Sequence, residues 1–202
     1  MGYKFGKYAS FGANTLTPSA TSAGLFYGGV AIGTSNTNAG NASLVVGSGN
    51  SIASGASLGG SLGNIVAGKN NTLNATNSPT GNIVIGSGNT ADSDYAACFG
   101  RNNTHSGASY ALIAGYDNTV TSNGDASLVV GESQLVSGSY NCVVGFENKL
   151  GTNSNINLVV GEAITVDDGI VGLGAVGVKG IIDYINGEKE KPEFTDFATM
   201  AA

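Results

Sequence analysis

Three apolar residues followed by glycine recur along this chain at short, uneven intervals. The copies are Val30-Ala31-Ile32-Gly33, Leu44-Val45-Val46-Gly47, Ile65-Val66-Ala67-Gly68, Ile83-Val84-Ile85-Gly86, Ala97-Cys98-Phe99-Gly100, Leu112-Ile113-Ala114-Gly115, Leu128-Val129-Val130-Gly131, Cys142-Val143-Val144-Gly145 and Leu158-Val159-Val160-Gly161. Successive glycines stand 14, 21, 18, 14, 15, 16, 14 and 16 residues apart. The spacing never falls below 14, so every departure is an insertion, as expected of a fixed unit carrying variable surface loops. Three residues after the glycine comes Asn36, Asn50, Asn71, Asn89, Asn103, Asn118 or Asn148, with Gln134 and Ile164 as exceptions. Thr or Ser follows in most units, and then an apolar residue such as Ile52, Leu73, Val120, Val136, Leu150 or Val166.

Fourteen residues are too few for a helix pair and too many for one strand. Two short strands joined by two tight turns fit, with Gly and Asn supplying the left-handed backbone angles that such turns need. Stacking these units in register predicts a parallel β-solenoid rising about 4.8 Å per coil. The Asn and Thr columns should then form ladders, each side chain bonding its copies above and below. Strand side chains alternate between faces, so the middle residue of each triplet points away from its two neighbours. Ala31, Val45, Val66, Val84, Cys98, Ile113, Val129, Val143 and Val159 occupy that middle position. Reading the first and third residues as inward places this apolar column on the outer wall. Sister chains would cover it there, because soluble monomers rarely expose so continuous a stripe. The same reading puts Cys98 outside and Cys142 inside, too far apart in direction to pair.

Composition narrows the picture. Gly reaches 33 of 202 residues and charged residues only 11%, yet 41% are apolar and regularly placed, which favours an ordered repeat over disorder. A net charge of −6 without a Lys/Arg cluster argues against nucleic acid. No apolar run approaches the ~20 residues that span a bilayer. The start, MGYKFGKYASFGANTL, has no secretory h-region and an incomplete myristoylation pattern. Two cysteines make no disulfide framework, and no ligand spacing surrounds them. Titratable groups that could converge for catalysis are scarce. His105 is the only histidine and stands where other units carry Ile, Leu or Val, facing the thin interior or its rim. Asp92, Asp94, Asp117, Asp125, Asp167 and Asp168 fall mostly in turns, without the spacing of calcium-binding rolls. No catalytic, cofactor or metal site is expected, and no T-x-T rows mark an ice-binding face.

The triplet-Gly-x-x-polar-x-Φ-x-x-Gly unit with its fourteen-residue period, seen best in SLVVGSGNSIASG and SLVVGESQLVSGS, resembles the YadA-like head repeats of trimeric autotransporter adhesins. The resemblance covers roughly Val30 to Gly174 and implies an all-β, left-handed parallel β-roll, homotrimeric, with the triplet wall toward the threefold axis. Asn in place of the family's usual Ser, and the absence of a heptad stalk and barrel anchor, set this chain apart. Similar rolls occur in bacteriophage fibres and virion surface proteins. The sequence therefore divides into residues 1–24, an extended N-terminal arm; residues 25–180, the roll; and residues 181–202, a C-terminal cap. In the arm, Tyr3, Lys4, Phe5, Lys7, Tyr8 and Phe11 make an aromatic, mildly basic docking segment, or else a lid over the first coil. The expected role is a non-enzymatic capsid decoration or fibre on the virion surface, assembled in the host cytoplasm and docked on a capsid or tail protein. The alternative is an adhesive receptor-binding head, using inserted loops near residues 55–63 and 74–81 with Tyr95, Tyr110, Tyr116 and Tyr140 on a host glycan or protein.

Overall fold

The structure, a computed structural model, describes residues 9–16, 29–40, 42–53, 63–74, 80–92, 94–107, 109–121 and 124–178. Among them there is no helix. The chain winds as a β-solenoid whose strands form two parallel sheets, one of eleven strands and one of ten. Each unit contributes a five-residue strand, such as Leu128–Glu132, to the first sheet and a shorter one, such as Leu135–Val136, to the second. Pairing runs strictly to the next unit: Leu128 lies opposite Cys142, Gly131 opposite Gly145, and Val136 opposite Leu150.

The core is one residue wide on each side. Val45, Val66, Val84, Ile113, Val129, Val143 and Val159 of the long strands meet Ile52, Leu73, Val120, Val136, Leu150 and Val166 of the short strands, all shielded from water within a single chain. This reverses the expected facing of the triplets. The middle residues, Ala31, Val45, Val66, Val84, Cys98, Ile113, Val129, Val143 and Val159, point into the roll rather than out of it. The physical reason is that a short strand offers one inward side chain per coil, which leaves room for one partner from the long strand. The first and third triplet residues therefore face outward. Cys98 is accordingly buried and Cys142 half-exposed, opposite to expectation, and both thiols are free.

Position four of the long strand shares the inward side with position two, and this explains its glycine. Gly131 has φ +132°, and a Cβ built on it would lie 1.9 Å from the carbonyl oxygen of Gly145 in the next coil. No side chain fits. The left-handed turn residue is not the Asn itself but the one before it: Ser35, Asn70, Asn102, Asp117, Ser133, Glu147 and Ala163 have φ between 53° and 57°.

Residues 9–16 form an additional rung. Ala9–Phe11 pairs with Val30–Ile32, and Thr15–Leu16 with Thr37–Asn38. The expected arm therefore gives way to solenoid by Ala9, with Phe11 on its exposed face. Tyr3, Lys4, Phe5, Lys7 and Tyr8, most of the inserted loops and the C-terminal cap lie outside the described residues.

Candidate functional site

Four columns of side chains run the length of the stack, each set by one position in the repeat. The first is the buried Asn column at the corner after each glycine. Asn50 donates from its backbone N–H and its Nδ2 to Asn36 Oδ1 at 3.0 and 3.1 Å, and its Nδ2 also reaches Gly68 O at 2.8 Å. Asn71, Asn89, Asn103 and Asn118 repeat this arrangement on the coil before them. Even Asn14, two rather than three residues past its glycine, accepts from Asn36. Each amide is thus satisfied by the corner it closes, as buried polar groups must be. Gln134 keeps the vertical links, taking Asn148 N–H on Oε1 at 3.0 Å, but its Nε2 is buried without a hydrogen-bond partner. The Thr column, by contrast, stands on the outer side of the short sheet, half-exposed at Thr37, Thr72, Thr90, Thr104 and Thr119.

A second polar column escapes the sequence reading. The residue just before each triplet is buried: Ser43, Asn64, Asn82, Ser127, Asn141 and Asn157. Asn64 Oδ1 accepts from Asn82 N–H at 2.8 Å, Asn82 Oδ1 from Ala96 N–H, and Asn141 Oδ1 from Asn157 N–H at 2.9 Å. Small and amide residues alternate there with Ala96 and Ala111, so no consensus letter announces it. The available signal is position: the residue just before an outward-inward-outward triplet must itself face in.

The third column is the outer wall of the long sheet. Val30, Leu44, Ile65, Ile83, Ala97, Leu112, Leu128, Cys142 and Leu158 line one row, and Ile32, Val46, Ala67, Ile85, Phe99, Ala114, Val130, Val144 and Val160 the other. All eighteen are apolar. Ile32, Ile65, Ile85, Leu112 and Leu158 keep 38–45% of their surface exposed in the single chain. The apolar stripe anticipated on the outside is present, twice as wide, on the residues flanking the nine expected ones.

The fourth column lies at the other corner, two residues before each triplet. Its members among the described residues all have left-handed backbone angles: Ala42, Gly63, Gly81, Tyr95, Tyr110, Ala126, Tyr140, Ile156 and Gly172. Tyr95 and Tyr110 stack with centroids 5.3 Å apart and planes 9° from parallel. Tyr116 belongs elsewhere, at the end of a long strand, with the Arg101 guanidinium 5.6 Å from its ring centroid.

His105 sits inside, between Ala91 and Val120 of the neighbouring coils, and is 1% exposed. Burial pushes its pKa down to about 4, with Asp125 and Asp92 opposing that shift only in part. The imidazole is neutral near pH 7 and out of reach of a substrate. Cys98 is likewise enclosed, its thiol pushed up to about 12 by burial. Among the described residues no three His, Cys, Asp or Glu side chains converge as metal ligands. No protein family, curated protein or solved structure matches this chain.

Proposed function

We propose that this chain is a non-enzymatic structural rod that works as a homotrimer on the surface of a virus particle, as a capsid decoration or fibre. In this reading the roll is left-handed, with coils of about fourteen residues, and three copies bury their long sheets against one another. The observation that carries it is the outer wall: eighteen apolar side chains in two unbroken rows, a larger stripe than a soluble monomer leaves to water. A flat sheet that buries one whole face lengthwise calls for a closed arrangement about a parallel axis. The interface then consists of Leu44, Val46, Leu128, Val130, Val144 and their neighbours in the two rows. The column Ala31 to Val159 serves instead as the core that keeps this wall flat. Residues 1–8 dock on a capsid or tail protein. Particle assembly in the host cytoplasm and display on the virion follow from that placement.

Sedimentation of the purified chain tests the trimer. A species of three chains is expected, and Val130→Asp or Val144→Asp should release folded single chains. Cys142 supplies an independent readout, since its half-exposed thiol should resist alkylation in the assembly and react in the Val130→Asp variant. A native protein that sediments as a stable single chain overturns the reading. Removing residues 2–8, which spares the first rung, should abolish incorporation into particles without altering the trimer.

A further inference from the structure

The second corner carries bulky side chains where the backbone disfavours them. Tyr95, Tyr110 and Tyr140 have φ of 53°, 60° and 60°, a conformation unfavourable for residues with a Cβ. The same corner in other coils uses Gly63, Gly81 and Gly172, which adopt it freely. Tyr110 and Tyr140 are 66% and 65% exposed, so the roll's core does not depend on their rings. Strain retained on a rigid, solvent-facing turn is a reason to look for a ligand.

The spacing shows where. The Tyr95 ring lies over Gly81, one coil back, and the Tyr110 ring stacks on Tyr95. In the next coil the position is Ala126, and Tyr140 follows. Tyr110 and Tyr140 are thus two coils apart, about 9.6 Å at the usual strand spacing. That leaves a slot one ring thick, with a methyl group as its floor. Tyr140 is also one wall of a groove of about 390 Å³, lined besides by Asp125, Ser139, Asn153, Asn155, Ile156 and Val171. Asp125 Oδ1 accepts Ser109 N–H at 2.5 Å and Asn155 Oδ1 accepts Ser139 N–H at 2.7 Å, so both polar heads are held in place by backbone.

We infer that this slot and groove bind a neutral oligosaccharide, one pyranose ring inserting between Tyr110 and Tyr140 above Ala126. A pyranose pairs an apolar C–H face, which suits an aromatic ring, with a rim of hydroxyls, which suits a carboxylate and amides. An aromatic side chain from a protein partner would offer Asp125 and the two amides no hydrogen bonds in exchange for the water it displaces. Acidic sugars are disfavoured by Asp125 and by the net charge of −6. The site is present on each chain and does not depend on the trimer.

Maltohexaose, cellohexaose and chitohexaose are suitable probes, read by saturation-transfer NMR and by tyrosine fluorescence, which no tryptophan obscures in this chain. At least one should bind. Ala126→Tyr, which fills the slot with the residue its neighbours already carry, should weaken binding at least tenfold, with thermal stability unchanged or raised. Tyr140→Ala should weaken it similarly through the opposite change, removal of a wall. Absence of transfer to all three probes, or binding that survives both substitutions, overturns the assignment.

Discussion

The two corners of this solenoid are built from the same backbone conformation and filled by opposite rules. At the first corner, left-handed residues are Ser35, Asn70, Asn102, Asp117, Ser133, Glu147, Ala163 or glycine, and the Asn beside most of them is locked into neighbouring coils by several hydrogen bonds. Its length is constant from Gly33 onward. At the second corner the insertions accumulate, and the left-handed position accepts Tyr95, Tyr110, Tyr140 and Ile156 at the surface. One corner is specified by what must fit inside it, the other by what is displayed on it. The contrast separates the part of the repeat that makes the fold from the part free to acquire a purpose.

That contrast can be broken from the first corner with the largest effect. Gly131→Ala puts a methyl group 1.9 Å from the Gly145 carbonyl in a left-handed conformation. We expect a loss of about 4 kcal/mol or more, seen as a collapse in the denaturation midpoint or in soluble yield. A Gly131→Ala chain as stable as the parent would show that the corner is not closed as described. Next in size is acid sensitivity of the interior. Unfolded His105 titrates near 6.5 and folded His105 near 4, so the unfolded chain binds the proton first. Stability should therefore fall as pH drops from about 6.5 to about 4, by about 3 kcal/mol in total. Being the only histidine, it can be checked with one variant: His105→Val should flatten the melting temperature across that pH range.

A smaller break at the first corner is Asn118→Ala. It removes the acceptor of Gln134 N–H and the donor to Gly131 O, leaving buried backbone groups unanswered. The expected loss is about 2–3 kcal/mol by chemical denaturation. The second corner should respond least and with the other sign. Tyr140→Gly relieves a left-handed tyrosine that is 65% exposed, and should be neutral or stabilising by about 1 kcal/mol. Equal destabilisation by Asn118→Ala and Tyr140→Gly would erase the distinction between the corners.

Much of the architecture is legible in the sequence because repetition multiplies weak signals. Nine triplets and a column of asparagines announce parallel coils, their register and the polar ladder without any structure. The facing of the triplets is not legible from them alone, because Φ-Φ-Φ is symmetrical: three apolar residues do not say which of them is inside. The glycine at position four is the missing clue, since a side chain is forbidden where the corner is fullest, and positions two and four share a face. The buried column from Ser43 to Asn157 is hidden for a related reason, its members being alike in depth but not in letter. The tyrosine column cannot be weighed from sequence, because its meaning lies in a backbone angle that only glycine at equivalent positions reveals as costly. Residues 9–16 read as an arm because ASFGANTL is one residue short of the repeat at its corner, a deficit that Asn14 absorbs while still bonding Asn36.

The vertical asparagine bonds have a consequence for how such a molecule changes over generations. Because every coil answers only to the coils beside it, nothing in the interior measures how many there are. Copying one stretch of about fourteen codons would lengthen the protein by a single strand width and ask for no new kind of contact. The shared SLVVG opening and parallel layout of SLVVGSGNSIASG and SLVVGESQLVSGS read naturally as a trace of that arithmetic. Reach, in a molecule of this design, is a quantity set in small equal steps.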